Sequence, residues 1–287
     1  MALARIPADD FHGSTHPATG EMPAPPHASA VGETPFHCEG HPRAPGAEGS
    51  WWRPIGDAGG AAIVHVDLRP DQRREAEALR SLDQEELARW HRYRHPRPRR
   101  QFALCRAVLR RVLCERIGCA NQDLRFVSLE HGKPGALAGE EPVRASFNVS
   151  HGGDHGLVAL APRGRLGVDV EERSLRHDPD GHIRKVFAPR EQEALAAARG
   201  KRKTWMFFRL WTLKEAVIKA LGTGFSLDTS TFEIPPSMYL SNQRRTIFEL
   251  PHLPGLRWRL EDLGNREFAA AVALEVPRNP ASGPGVP

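Results

Sequence analysis

No apolar stretch in these 287 residues approaches the ~18 that a transmembrane helix needs, so no helical membrane span is expected. The opening Met1-Ala-Leu-Ala-Arg-Ile-Pro7 lacks a basic segment followed by an apolar one, so no secretory signal is expected either. Cysteine is scarce, with only Cys38, Cys105, Cys114 and Cys119. Their spacing gives no paired zinc-ligand motif, and Cys105 and Cys119 sit too far apart along one helix to bridge. Free thiols in a cytoplasmic protein are the expectation. Helix-turn-helix, zinc-finger and RNP-type aromatic motifs are missing too. So is the G-x-S-x-G elbow of serine hydrolases.

What is present is charge. The formal net charge is +5 and the pI is about 9.3. Residues 1–50 carry six acids against two arginines, so the basic excess lies in the rest of the chain. Ten arginines crowd the stretch from Arg89 to Arg116. Such a patch serves a phosphorylated cofactor, an acidic protein or a nucleic acid equally well. Without a nucleic-acid motif, the first two are favoured.

Residues 1–50 are rich in Pro, Gly, His and Ala without apolar periodicity, and are expected to be a disordered leader. Ala62–Leu68 reads as a strand. Ser81 reads as an N-cap before Glu85 and Glu86. Pro96 and Pro98 interrupt, and a helix follows from about Arg99 to Ile117, closed by Gly118. Leu124–Leu129, Ser146–Ser150 and Gly156–Ala161 read as strands, with a turn at 130–135. The boundary between an N-terminal half (51–162) and a C-terminal half (163–276) is expected at Pro162-Arg-Gly164. A helical stretch spans Ile183–Arg199 with a break at Ala188-Pro189, and another spans Trp205–Leu221. Phe232–Ile234, Thr246–Leu250, Leu256–Leu260 and Phe268–Leu274 read as closing strands. Residues 277–287 read as a disordered tail. Each half has a strand–helices–strands order, although no internal repeat is visible.

Two segments carry the chemistry. Gly167-Val-Asp169-Val-Glu171 reads as a strand, with Val168 and Val170 on one face and both carboxylates on the other. Trp211-Thr-Leu-Lys214-Glu215-Ala-Val-Ile-Lys219-Ala220 reads as a helix, with Trp211, Glu215 and Lys219 along one face. If strand and helix meet, three carboxylates and an ammonium converge. Hard oxygen ligands suit Mg²⁺ that also holds substrate phosphates. Crowded carboxylates need such a cation. Taken separately, the strand acids would be a solvated edge and Lys219 a surface i,i+4 partner. Lys214 points some 100° from Glu215, and a solvent-facing charge is its alternative.

The paired motifs resemble the two signatures of the Sfp-type 4′-phosphopantetheinyl transferases, G-[VI]-D-[VI]-E and W-x-x-K-E-A-x-x-K. Gly132-Lys133-Pro134 and Phe147-Asn148-Val149-Ser150-His151-Gly152 resemble two further elements of that family. The resemblance spans about residues 62–275. It implies an α+β fold of two pseudo-symmetric α/β lobes with the active site in the cleft between them. It implies Mg²⁺ (or Mn²⁺) at Asp169, Glu171 and Glu215, holding the pyrophosphate of coenzyme A. Ser150, His151 and Lys133 would contact coenzyme A, and Arg89 its 3′-phosphate, with Arg92, Arg99 and Arg100 as competitors. Lys219 would stabilise the departing phosphate, and a carboxylate or bound water would activate the attacking serine. Phe187-Ala-Pro-Arg-Glu191 resembles the family's F-[ST]-x-x-E element, with Ala188 in place of a capping hydroxyl. Glu191 is then either a general base or a first-turn acid facing the helix dipole. The implied activity moves phosphopantetheine to a serine of an acyl or peptidyl carrier protein domain, by a monomer. Two rival readings stay open: an Mg²⁺-dependent nucleotide pyrophosphate hydrolase, and a non-enzymatic nucleic-acid-binding protein. A Ser150/His151 nucleophilic couple is disfavoured, because strand neighbours face opposite ways.

Overall fold

The computed structural model describes residues 50–128, 134–173, 180–222 and 228–276. The leader, the tail, and the turn holding Gly132 and Lys133 lie outside the described residues. The elements run β1 (Trp52–Ala58), β2 (Ala61–Asp67), α1 (Gln72–Leu79), α2 (Gln84–Arg92), α3 (Pro96–Ile117), β3 (Leu124–Ser128), β4 (Pro134–Ala138), β5 (Glu141–Pro142), β6 (Ser146–Gly152) and β7 (His155–Ala161). They continue with β8 (Leu166–Glu172), α4 (Asp180–Val186), α5 (Pro189–Ala197), α6 (Gly200–Leu221), α7 (Ser237–Leu240), β9 (Arg245–Leu250), β10 (Leu253–Asp262) and β11 (Phe268–Val276).

Two four-stranded antiparallel sheets result, in the orders β1-β2-β7-β6 and β8-β11-β10-β9. A small third sheet, β3-β4-β5, flanks the first. In each large sheet a strand (β2 or β8) pairs with the last strand of its half (β7 or β11), which pairs with the one before it (β6 or β10). Both halves place a 22-residue helix, α3 or α6, between the first and the returning strands. The pseudo-symmetry is thus a matter of topology, and the α+β fold class stands.

Strand alternation sorts the core into three layers. Val64, Val66, Val158 and Leu160 pack under α3 with Leu104, Val108 and Leu109. Ala269, Ala271, Ala273, Trp258 and Leu260 pack under α6 with Leu210, Leu213 and Val217. The opposite faces meet each other: Ile63, Leu157 and Ala159 of one sheet touch Val168, Val170, Ala270 and Val272 of the other. The two sheets therefore share an apolar seam, and helices cover their outer faces.

Several expectations need correction. β1 was not expected; only Trp52 and Ala58 at its ends are buried, so it shows no alternation. α1 was also missed, although Asp71 caps it by accepting from Arg73 and Arg74 backbone N–H groups. Asp83, not Ser81, caps α2, through a reciprocal capping box with Glu86. Pro96 and Pro98 open α3 rather than interrupt it, since the first turn needs no N–H donor. Phe232–Ile234 is not a strand; it follows a 3₁₀ turn at Thr229–Thr231 and is buried as irregular backbone.

Candidate active site

The strand β8 and the helix α6 meet as their motifs suggest, and a glycine makes the meeting possible. A methyl group on Gly167 would lie 2.1 Å from the Ala216 carbonyl oxygen and 2.3 Å from the Ala220 nitrogen. Only a residue without Cβ lets α6 lie that close to β8. The residues that share this face of β8, Asp169 and Glu171, are thereby brought under Glu215 and Lys219.

The first lobe closes the site from the other side. β6 is the edge strand of its sheet and runs beside the free edge of β8. Asn148 Oδ1 accepts from the Val168 backbone N–H at 2.9 Å, so a side chain satisfies the edge that no strand pairs. A Cβ on Gly152 would stand 2.4 Å from the Val170 carbonyl oxygen and 2.9 Å from Glu171 Oε2. The glycine of the second motif thus permits the two lobes to touch.

At the centre, Lys219 Nζ donates to Asp169 Oδ1 at 2.6 Å and to Ser150 Oγ at 2.8 Å. Ser150 Oγ stands 2.9 Å from the same Asp169 oxygen and donates to it. Asp169 is 3% exposed, so this triangle is worth more than a surface ion pair. Asp169 Oδ2 is buried with no hydrogen-bond donor. A buried carboxylate oxygen left so is costly unless a cation or donor supplies the contact.

The neighbouring carboxyls feel this charge. Glu171 is pushed up to about 8, first by burial and then by Asp169, while Lys219 and a hydrogen bond from Trp211 oppose the rise. Glu215 is pushed up to about 7, again by burial and then by Asp169. Burial alone would lower the Lys219 ammonium, but Asp169 and Glu215 outweigh it and hold it above its ordinary value. His151 is driven down to about 4 by burial and then by the Lys219 charge, so its ring is neutral at neutral pH.

Among the described residues, no three His, Cys, Asp or Glu side chains stand close enough together to hold a metal ion unaided. Lys219 occupies one oxygen of Asp169. The residues nonetheless fit a hard cation in kind: three carboxylates share one neighbourhood, and one carries a buried oxygen without a donor. Mg²⁺ commonly takes one or two carboxylates and completes its shell with phosphate and water.

Other expected site residues fall elsewhere. Glu191 is fully buried, and both of its oxygens are engaged. Oε2 accepts from Lys214 Nζ at 2.9 Å and from Ala188 N–H at 2.8 Å, and Oε1 accepts from Ile234 N–H at 2.8 Å. This corrects the general-base alternative: such a carboxylate has no free oxygen to take a substrate proton. It also explains how α5 starts without a capping hydroxyl, since Glu191 reaches back to the Ala188 N–H. Lys214 is likewise no surface charge; it is fully buried and also donates to the Thr229 and Phe232 carbonyls at 2.7 and 2.6 Å.

The arginine stretch divides. Arg110 is buried and ion-paired with Asp83 and Glu86, and Arg100 donates to the Leu68 carbonyl, so both hold the fold. Arg106 is buried against Phe126 and Glu86. Arg89 is half-buried on α2, its guanidinium 5.2 Å from the Phe102 ring centre. Arg97 of α3 reaches Asp154, between β6 and β7, and Glu172 at the end of β8. Gly167, Asn148 and Trp211 are the contributors that motif reading left without a role, and Gly152, expected to let backbone approach a ligand, lies against Val170 and Glu171 of β8.

A family model for the 4′-phosphopantetheinyl transferase superfamily matches residues 165–273, and one for the 4′-phosphopantetheinyl transferase N-terminal region matches residues 67–163. Over 145 residues the chain is 37% identical to a putative 4′-phosphopantetheinyl transferase of Synechocystis sp., covering 50% of this chain and 58% of that protein. It is 33% identical over 148 residues to the 4′-phosphopantetheinyl transferase HetI of Nostoc sp., covering 51% and 62%. A 4′-phosphopantetheinyl transferase of Bacillus subtilis is 29% identical over 194 residues, covering 67% and 82%. The match thus spans less than two thirds of the first two relatives' own length.

Proposed function

The chain belongs to the 4′-phosphopantetheinyl transferase superfamily, and from that premise we propose that it moves the phosphopantetheine arm of coenzyme A onto a serine of a carrier protein domain. The observation that carries this reading is the meeting of the two motifs in one buried constellation, Lys219–Ser150–Asp169, flanked by Glu171 and Glu215. The serine hydroxyl of an acyl or peptidyl carrier attacks the β-phosphorus of coenzyme A. The hydroxyl proton passes to a carboxylate or a bound water, the bond to adenosine 3′,5′-bisphosphate breaks with that group leaving, and the serine keeps the arm. Asp169, Glu171 and Glu215 are the residues that would hold Mg²⁺ or Mn²⁺. When bound, that ion would draw off charge from the pyrophosphate.

The chain's own groups supply the rest. The Lys219 ammonium is the group proposed to meet the negative charge that grows on the leaving phosphate, and a group poised there acts most strongly in the transition state. Ser150 and Asp169 fix its direction. Neutral His151 can donate or accept one hydrogen bond without adding charge. Lys133 and Arg89 are proposed for the cofactor's phosphates, with the exposed Arg92 as an alternative. No covalent intermediate with the protein is needed; positioning and charge neutralisation suffice, as in other phosphoryl transfers. Both lobes contribute to the site within one chain, which suits a monomer. No helix among the described residues is long and apolar enough to cross a membrane.

The test is coenzyme A labelled in its pantetheine, incubated with the protein, Mg²⁺ and an apo carrier domain. Label on the carrier supports transfer. Label released as free phosphopantetheine, with none on the carrier, would show a pyrophosphate hydrolase instead.

A further inference from the structure

Where α6 overruns the end of β8, it presents side chains that its own stability does not explain. Its first turn carries Lys201, Arg202 and Lys203, with no acid, and its N-cap residue Arg199 makes no side-chain capping bond. Cations at a helix N-terminus oppose the dipole. Trp205 follows, 41% exposed, one of three exposed large apolar side chains among the described residues. Its ring is backed by the Arg173 guanidinium, 3.9 Å from the ring centre. Arg173 is itself held by the Asn265 and Trp205 carbonyls. The indole is thus a rigid apolar platform within a cationic rim. Arg184 in the last turn of α4, also exposed, lines the same surface hollow as Lys203. Two exposed acids border this surface: Glu193 of α5, in the same hollow, and Glu172 beside Arg173, which is ion-paired with Arg97.

The position matters as much as the chemistry. Lys201, Trp205, Glu215 and Lys219 fall on one side of α6 at 100° per residue. Trp205 lies ten residues, or about 15 Å, from Glu215 along the same rigid helix. A body docked on Trp205 is therefore held in a fixed register with the carboxylates. On the reading that a carrier domain is the acceptor, we infer that the start of α6 with Arg173 is its docking surface. The structure fits a carrier face that sets an apolar residue on Trp205 and surrounds it with carboxylates. A central aromatic with a charged rim is a common division of labour: the ring supplies affinity, the rim supplies encounter rate and salt dependence.

The test uses the full chain, coenzyme A, Mg²⁺ and an apo carrier, with two variants. One is Lys201→Glu with Arg202→Glu; the other is Trp205→Ala. The charge reversal places acids where the helix dipole favours them, so the fold should be no less stable, and a thermal melt verifies that. The expected result is a carrier KM raised about tenfold or more in each variant, with the coenzyme A KM unchanged. The salt dependence of carrier KM should flatten in the charge-reversed protein. Unchanged carrier KM in both variants, or equal losses for carrier and coenzyme A, would overturn the inference. Direct binding of apo carrier to wild type and variants, measured calorimetrically, separates the two levels. If wild type binds carrier and the variants do not, but no arm is transferred, docking stands and the transfer reading fails. If the arm is transferred and the variants bind normally, the docking inference fails alone.

Discussion

Replacing Lys214 with methionine removes the ammonium from a fully buried ion pair and leaves Glu191 to choose between two costs. It can stay ionised in an apolar interior, or it can take up a proton and lose part of its hold on the Ala188 and Ile234 N–H groups. The Lys214–Glu191 separation is 2.9 Å, and both side chains are 0% exposed. Burial raises the Glu191 carboxyl and lowers the Lys214 ammonium, and each partner's charge opposes that drift. Breaking such a pair from one side costs about 3–5 kcal/mol. For a protein of this size that is a melting-temperature drop on the order of 10 °C. Glu191→Gln should also destabilise, because its amide must face the Lys214 ammonium or a backbone N–H with a donor. The double variant Glu191→Leu with Lys214→Met should recover part of the loss, because no charge is left alone. Thermal melts of the three proteins, with transfer rates measured well below their melting points, decide the matter. Were Glu191 a general base, Glu191→Gln would melt like wild type yet lose about 10²–10⁴ in rate. That pattern would refute the structural role assigned here.

Other perturbations read other parts of the site. Gly167→Ala forces a methyl against helix backbone 2.1 Å away. It should cost at least the 1–3 kcal/mol of an overpacked core and should lower the transfer rate by displacing Glu215 and Lys219, as melts and initial rates will show. Glu171 and Glu215, at about 8 and about 7, hold protons in the folded protein that the unfolded chain, with its carboxyls at 4.5, releases. The stability they contribute is complete below pH 4.5 and lost as pH rises through 7 and 8. Mg²⁺ should therefore raise the melting temperature more at pH 8 than at pH 6; an equal shift at both would contradict the carboxylate assignment. Lys219→Met should lower kcat much more than it weakens coenzyme A binding, and a pure affinity loss would show that its charge is not used in the transition state.

What the sequence disclosed about the site follows from periodicity. Asp169 and Glu171 alternate away from Val168 and Val170, and the valines lie in the seam between sheets, as a strand between two packed faces requires. Glu215 and Lys219 are one turn apart, so one helix face carries both. Ser150 and His151 are adjacent on β6, and the Ser150 hydroxyl joins Asp169 and Lys219 instead of pairing with the imidazole. Residues whose environment comes from distant chain were illegible. Lys214 looked like a surface charge because nothing local reveals that Thr229 and Phe232 lie over it. Arg106 and Arg110 looked like part of a basic stripe, yet Glu86 from another helix buries them. β1 showed no alternation because its middle faces solvent, and it exists through pairing with β2.

The most direct test of the central claim is the intact mass of an apo carrier domain after incubation with coenzyme A, Mg²⁺ and either the wild-type protein, Asp169→Asn or Glu215→Gln. All three proteins should be folded by circular dichroism. The wild type should add the mass of one phosphopantetheine group to the carrier, and the two variants should leave it unmodified over the same time. A carrier modified equally by wild type and both variants would contradict the account.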